Sequence, residues 1–294
     1  IWISDKTRFG HHFTRDTESR LLEPMVGKGD NLATINWNEA LQLVADRIKT
    51  AGDDVAAIAG SSLSNEDLYA LSQLVTGAGG KRLGAWPPTH GGAGLLAQVG
   101  VGLGTNLSKL GKGDAVLVVA SDLEEEVPVW RLRIKQAHDR GAYVVVMNAR
   151  PTRMDDFANE TIRYDYADAA NAFALLREKY AEYASKLTGA ANLIVVVGAE
   201  GLTLDASTSL MQSAANFLIE SGHVGKPNNG LLSPLPGANG VGQHYLGFTP
   251  EATRDIINNP PKVLIVAQAD LLLDDPSAKH WLSKVKNVVY LSLF

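Results

Sequence analysis

At 294 residues, with 45% hydrophobic and 20% charged side chains, the chain is composed like a globular protein of one large or two modest domains. Its net charge of −5 and its lack of a basic tract exclude nucleic acid as an expected partner. The absence of cysteine excludes disulfides, thiolate metal sites and any iron–sulfur cluster held by this chain alone.

No apolar run reaches the roughly 18 residues of a membrane span, so direct membrane insertion is not expected. The opening residues are not a signal peptide. There is no initiator Met, and the chain stops directly after a strand-like run at 288–293. It therefore reads as a piece of a longer protein.

Residues 1–30 mix polarities around Pro24, Gly27 and Gly29 and read as an irregular lead-in. Residues 37–50 predict a helix with Leu41, Val44, Ala45 and Ile48 on one face, ended by Gly52. A strand over 55–59 closes at Gly60-Ser61-Ser62. Asn65 is then placed to cap a helix over 66–75. Residues 77–90 read as a Gly/Pro-rich loop, and 91–110 as a short helix plus loop.

The stretch 114–151 organises the rest. Residues 115–120 and 142–147 are short, continuous, Val-rich runs, as expected of strands buried on both faces. Between them Asp122 can cap a helix, Glu124, Glu125 and Glu126 complement its positive end, and Pro128 suits a first turn. Val129, Leu132, Ile134 and Ala137 form the apolar stripe, with Arg131, Arg133 and Lys135 outward and Gly141 just past the end. Strand, helix and strand make one right-handed βαβ unit.

Further on, 167–187 predicts one long helix, 193–197 a strand and 205–220 a helix. Residues 221–250 read as a long Gly/Pro/Asn-rich loop, of a kind that crosses between domains or lines a cleft. Strands over 263–267 and 288–293 flank a helix over 277–285. The strands at 55–59, 263–267 and 288–293 are expected in one sheet, and those at 115–120, 142–147 and 193–197 in another. The chain is thus α/β with parallel sheets and no short-period repeat.

The Gly60–Asn65 turn can hold a phosphate on free N–H groups, although an ordinary capped turn explains it as well. The cluster 100–104 lacks the strand and glycine spacing of a dinucleotide fingerprint. The histidines show no ligand spacing. Composition and spacing name no reaction.

Trp2-Ile-Ser-Asp-Lys-Thr-Arg-Phe9, Arg20-Leu-Leu-Glu-Pro-Met-Val26, Trp37-Asn-Glu-Ala-Leu41 and Glu126-Val-Pro-Val-Trp-Arg-Leu-Arg-Ile-Lys135 resemble the large iron–sulfur (G) subunit of respiratory complex I, NADH:quinone oxidoreductase. Gly222-His-Val-Gly-Lys-Pro-Asn-Asn-Gly230 and Pro236-Gly-Ala-Asn-Gly-Val-Gly-Gln243 resemble the crossover loop of the wider molybdopterin oxidoreductase superfamily. The resemblance implies two Rossmann-like α/β/α domains, one inserted in the other. The outer domain would be 36–86 plus 248–294, the inserted domain 87–247, and residues 1–35 the tail of a cluster-bearing domain.

It also implies where function would sit. Ser4 occupies the place of a cluster-ligating Cys, while Lys6 is retained. Thr89-His90 stands where molybdenum enzymes carry Cys or selenocysteine followed by His, and Pro236 where some members carry an Arg. The expectation is a scaffold with no catalytic residue, metal or cofactor of its own. Iron–sulfur clusters would belong to an N-terminal part absent here. Its partners would be other peripheral-arm subunits of complex I, on the cytoplasmic face of a bacterial inner membrane or the mitochondrial matrix face.

The alternative is an active molybdopterin oxidoreductase with a pterin guanine dinucleotide between the domains, held by Ser61, Asn65, Arg150, Asn239 and Gln243. A third reading is a nucleotide-binding domain using the Gly60 or Gly198 turns. The loops after the strands carry Asp122, Glu124, Glu125, Glu126, Glu200, Asp270, Asp274 and Asp275, but only Arg150 and Arg153 as cations. That balance predicts poor binding of phosphates.

Overall fold

The structure, a computed structural model, describes residues 3–28 and 31–293. Trp2 and the side chain of Lys6, both in the opening motif, lie outside the described residues. In chain order the strands are β1 (Met25–Lys28), β2 (Asn31–Thr34), β3 (Val55–Gly60), β4 (Arg82–Trp86), β5 (Ala115–Val119) and β6 (Tyr143–Met147). They continue with β7 (Glu160–Ile162), β8 (Leu193–Val197), β9 (Gly230–Leu232), β10 (Val263–Ala267) and β11 (Asn287–Leu291).

β1 and β2 form an antiparallel pair. The other sheets run β11-β10-β3-β4 and β7-β6-β5-β8-β9, and each neighbouring pair in them is parallel. The chain is α/β with parallel sheets, and the two predicted groups of strands occupy the two predicted sheets.

Continuous apolar sequence makes these strands because both faces are covered. Leu117 and Val119 of β5 pack with Leu210 and Phe217, while Val116 and Val118 pack on the other side with Ile134 and Ala137. In the second sheet Val263 and Ile265 join Leu68 and Val75, and Leu264 and Val266 join Ile256 and Trp281. Each Val or Leu so buried contributes about 1.5–3 kcal/mol.

The chain divides into two compact units. Unit I comprises residues 1–8 and 89–235, and unit II comprises 9–88 and 236–294. The expected tail over 1–35 is therefore divided between the two units. The expected return at residue 248 comes at Pro236 instead. The loop after Pro236 is bonded into unit II: Asn239 N–H donates to the Ser61 carbonyl (2.8 Å), and Gln243 Nε2 to the Ala59 carbonyl (2.7 Å).

Other segments depart from their patterns for local reasons. The stretch expected as loop over 77–90 contains β4. There Gly84 leaves room for the Pro250–Asn258 helix, and a Cβ would meet Thr253 Oγ1 at 2.5 Å. The expected single helix over 167–187 is a 3-10 turn, Tyr166–Asn171, and two helices, Ala172–Lys179 and Ala181–Thr188, broken where Tyr180 leaves helical backbone (φ −126°, ψ 41°). The expected loop over 221–250 contains β9 and the helix Gly240–Tyr245. The lead-in holds a helix, Asp5–Phe9, and β1, which pairs with β2 just beyond it. Ser64, rather than Asn65, caps the Asn65–Gly77 helix by accepting from Asp67 N–H at 3.1 Å.

One turn is built twice. β5 and β10 each run into a non-glycine residue at positive φ, Ala120 (51°) and Gln268 (50°). Two residues on, Asp122 and Asp270 each cap a four-residue helix, Leu123–Glu126 and Leu271–Asp274. The carbonyl of the positive-φ residue lies against the glycine beyond the adjacent strand or at its end. A Cβ on Gly198 would run into Ala120 O, and one on Gly60 into Gln268 O. Left-handed backbone at Ala or Gln costs about 1–2 kcal/mol, so packing around both turns holds the conformation.

Candidate functional site

Beyond the carboxyl ends of β5, β6 and β8, unit I brings together Asp122, Arg150 and Glu200. Each stands three residues past the end of its strand, and the strand ends are in register, with Val119 opposite both Met147 and Val197. This is the edge at which open α/β sheets take ligands.

The Arg150 guanidinium is engaged on every nitrogen. Nη2 donates to Asp122 Oδ2 at 2.8 Å, Nε to Glu200 Oε1, and Nη1 to the Pro151 carbonyl at 3.3 Å. Hydrogen bonds to Glu200 and Asp122 raise its pKa still further, so it stays charged. Both carboxylates have second anchors. Asn148 Nδ2 donates to Glu200 Oε2 at 2.9 Å, and Glu124 N–H donates to Asp122 Oδ1 at 3.2 Å. A cavity of about 330 Å³ opens beside the clamp, lined by Asp122, Glu125, Arg150, Thr152, Arg153 and Asp156.

Behind the clamp, Ser121 Oγ donates to Glu126 Oε2. Burial pushes the Glu126 carboxyl up to about 7, opposed by the Ser121 hydrogen bond and assisted by the Glu200 and Asp122 charges. All three glutamates lie in the first turn of the Leu123–Glu126 helix, and Glu126 carries the further effect of burial. It is the last residue of its helix, and it is a near-neutral acid held against like charges. Arg131 is not outward. Its Nε lies 3.1 Å from Glu124, its Nη2 donates to the Arg153 carbonyl, and its guanidinium covers the Phe157 ring.

The other predicted cofactor residues lie in unit II, apart from Arg150 in the chain's division, and they bond to one another. Asn239 Nδ2 donates to Asn65 Oδ1 (2.9 Å) and the Leu63 carbonyl (2.8 Å), while buried Gln243 holds Ala59. Asn239 also takes the Ser61 carbonyl through its own N–H. Gly237 is required because a Cβ there would run into Ser61 Oγ. These contacts fasten the 236–243 loop to the turn after β3.

Of the positions marked by the resemblance, Ser4 works as a helix cap. Its hydroxyl accepts from Thr7 N–H at 3.2 Å and meets Thr7 Oγ1 at 3.0 Å. Thr89 Oγ1 lies 2.9 Å from His90 Nδ1. Burial lowers the His90 pKa to about 4, so the imidazole is neutral at physiological pH. Its Nε2 is buried without a hydrogen-bond partner. One neutral hydroxyl and one neutral imidazole do not fit a molybdenum centre that takes a thiolate or selenolate. Among the described residues no group of three His, Cys, Asp or Glu side chains is placed to hold a metal ion. Pro236 marks the return of the chain to unit II.

The residues that sequence reasoning missed are Asn148 and the partnership of Asp122 and Glu200 with Arg150. A signal existed: opposite charges recur at one fixed offset after three Val-rich strands.

Parallel α/β units with polar strand-end loops define a Rossmann-like fold. Residues 20–292 match the molybdopterin oxidoreductase family, and the chain belongs to that family. Similar proteins include the probable oxidoreductase YjgC of Bacillus subtilis (28% identical over 84% of this chain and 30% of that protein). The F420-dependent formate dehydrogenase subunit alpha of Methanocaldococcus jannaschii is 24% identical over 76% of this chain and 41% of that protein. The G subunit of the NADH-quinone oxidoreductase of Rickettsia felis is 29% identical over 55% of this chain and 23% of that protein. The chain thus matches between about a quarter and two fifths of the length of these relatives.

Among solved structures, acetylene hydratase from Pelobacter acetylenicus aligns with a TM-score of 0.60 at 13% identity, covering 94% of this chain and 53% of that one. The formyltransferase/hydrolase complex of Methylorubrum extorquens gives a TM-score of 0.56 at 15% identity, covering 86% and 78%. These likenesses show the fold. No helix among the described residues is long and apolar enough to cross a membrane.

Proposed function

We propose that this chain is a cofactor-free, molybdopterin-oxidoreductase-like scaffold of a G-type subunit in an NADH:quinone oxidoreductase. The observation that carries the reading is the pair Thr89–His90. At the place where molybdenum relatives present a thiolate or selenolate, a neutral hydroxyl sits against a buried, neutral imidazole. The family membership and the similarity to the Rickettsia protein support it. In this reading the chain takes no redox step. It docks against other peripheral-arm subunits, at the cytoplasmic or matrix face, while iron–sulfur clusters elsewhere in the longer protein carry the electrons.

A second reading is favoured by the relatives that match over more of the chain, an oxidoreductase and a formate dehydrogenase subunit. In it the full protein is an active molybdopterin-dependent oxidoreductase holding a pterin guanine dinucleotide. Metal and pterin analysis of the purified full-length protein separates the two. The scaffold reading expects neither molybdenum nor tungsten and no pterin fluorescence after oxidation. Stoichiometric metal retained through dialysis would overturn it.

A further inference from the structure

We infer that Asp122 and Glu200 are built-in anions that fill the ligand face of Arg150, so that the strand-end pocket of unit I is a phosphate site locked by the chain itself. This rests on the scaffold reading and deepens it by naming what closes the pocket. A bidentate anion approaching a guanidinium takes two N–H groups on one edge. On Arg150 the Nε edge is held by Glu200 and Nη2 by Asp122.

Neither carboxylate swings free, because Asn148 and the Glu124 N–H each hold the second oxygen. An incoming phosphate would have to displace two charge-assisted bonds and leave two carboxylates facing it. Glu125 and Asp156 line the same cavity and add negative charge, against which only Arg153 offers a second guanidinium. The pocket therefore has the position, volume and cation of an anion site, with its cation already neutralised.

The same geometry states what would open it. Replacing both carboxylates by amides keeps the shape, leaves Asn148 and Glu124 with oxygen acceptors, and frees the charge of Arg150. The test is equilibrium binding of inorganic phosphate and GDP to the full-length protein at low salt. Wild type is expected to bind GDP more weakly than about 1 mM, roughly −4 kcal/mol. Asp122→Asn/Glu200→Gln should bind at least tenfold tighter, and adding Arg150→Ala should abolish the gain. A folded double variant with no gain would overturn the lock while leaving the scaffold reading in place. Molybdenum or pterin in purified wild type would instead overturn the scaffold reading.

A second measurement needs no variant. Arg150 and Arg153 line one cavity, and the Arg150 side chain is 43% exposed, so exposure alone does not shield it. Phenylglyoxal modification, mapped by mass spectrometry, should reach Arg150 at least tenfold more slowly than Arg153. Equal rates would overturn the lock.

Discussion

Arg150 Nη2 donates to Asp122 Oδ2 across 2.8 Å, joining the loop after β6 to the loop after β5. Glu200 holds the other edge of the same guanidinium from the loop after β8. Three neighbouring strands are thereby tied at one end by a single cation. Arg150→Ala leaves two anchored carboxylates without it, and because the guanidinium is 43% exposed and partly screened by solvent the expected loss is about 1 kcal/mol. A double-mutant cycle with Glu200→Gln, read by urea denaturation, should show coupling above about 0.5 kcal/mol. Additive losses would mean that the pair contributes nothing jointly.

Glu126 gives the protein a pH dependence. Its folded pKa of about 7 lies above the ordinary 4.5, so the folded state keeps a proton that the unfolded chain has released. The stability this contributes is full below pH 4.5, declines as pH rises through the window to about 7, and is gone above it. The expected decline is on the order of 1–2 kcal/mol, since part of the carboxyl still meets water. Glu126→Gln should flatten the profile of urea midpoint against pH between 5 and 8. An unchanged slope in the variant would refute the assignment.

Gly198 is fixed by the backbone beside it, as a Cβ would run into the Ala120 carbonyl and come within 2.8 Å of the Ser121 Cβ. Gly198→Ala should destabilise by about 2 kcal/mol or more, because neither neighbour is the flexible end of a side chain. Gly104→Ala serves as the contrast. Unlike Gly198 it is at positive φ, 85°, and nothing lies within 4 Å of its Cβ position, so it should lose only about 1 kcal/mol, all of it from backbone strain. Thermal melts of the two variants decide between packing and backbone strain.

In unit II, Trp86 is 4% exposed and its Nε1–H donates to Asp274 Oδ2 at 2.7 Å. Asp274→Ala leaves that donor buried and unpaired, with an expected loss of about 1–3 kcal/mol. Asp274→Asn keeps an acceptor and should lose less than half as much. Equal losses in the two variants, measured by denaturation, would show that the bond itself contributes little.

The amino-acid sequence alone determined the class and the sheets. Runs such as Ala-Val-Leu-Val-Val at 115–119 and Val-Leu-Ile-Val-Ala at 263–267 can bury both faces, and their alternation with helical sequence selects a covered parallel sheet. Elements whose formation depends on a distant partner were not legible. β4 reads as loop because Gly84 weakens its pattern, and it forms because the Pro250–Asn258 helix packs over it. Asn65 reads as a cap, yet Ser64 takes that role and Asn65 turns to Asn239.

The candidate site shows the same division. Asp122, Glu200 and Arg150 were visible as charges on strand-end loops, and as such they read only as an acidic field opposed by two arginines. Tertiary structure decided that two of the acids neutralise one arginine, because parallel register brings the third residue past β5, β6 and β8 to one place. Burial then decided that Glu126 holds its proton near neutrality. Desolvation is a property of the space around a carboxyl, and that space is enclosed by residues remote in the chain.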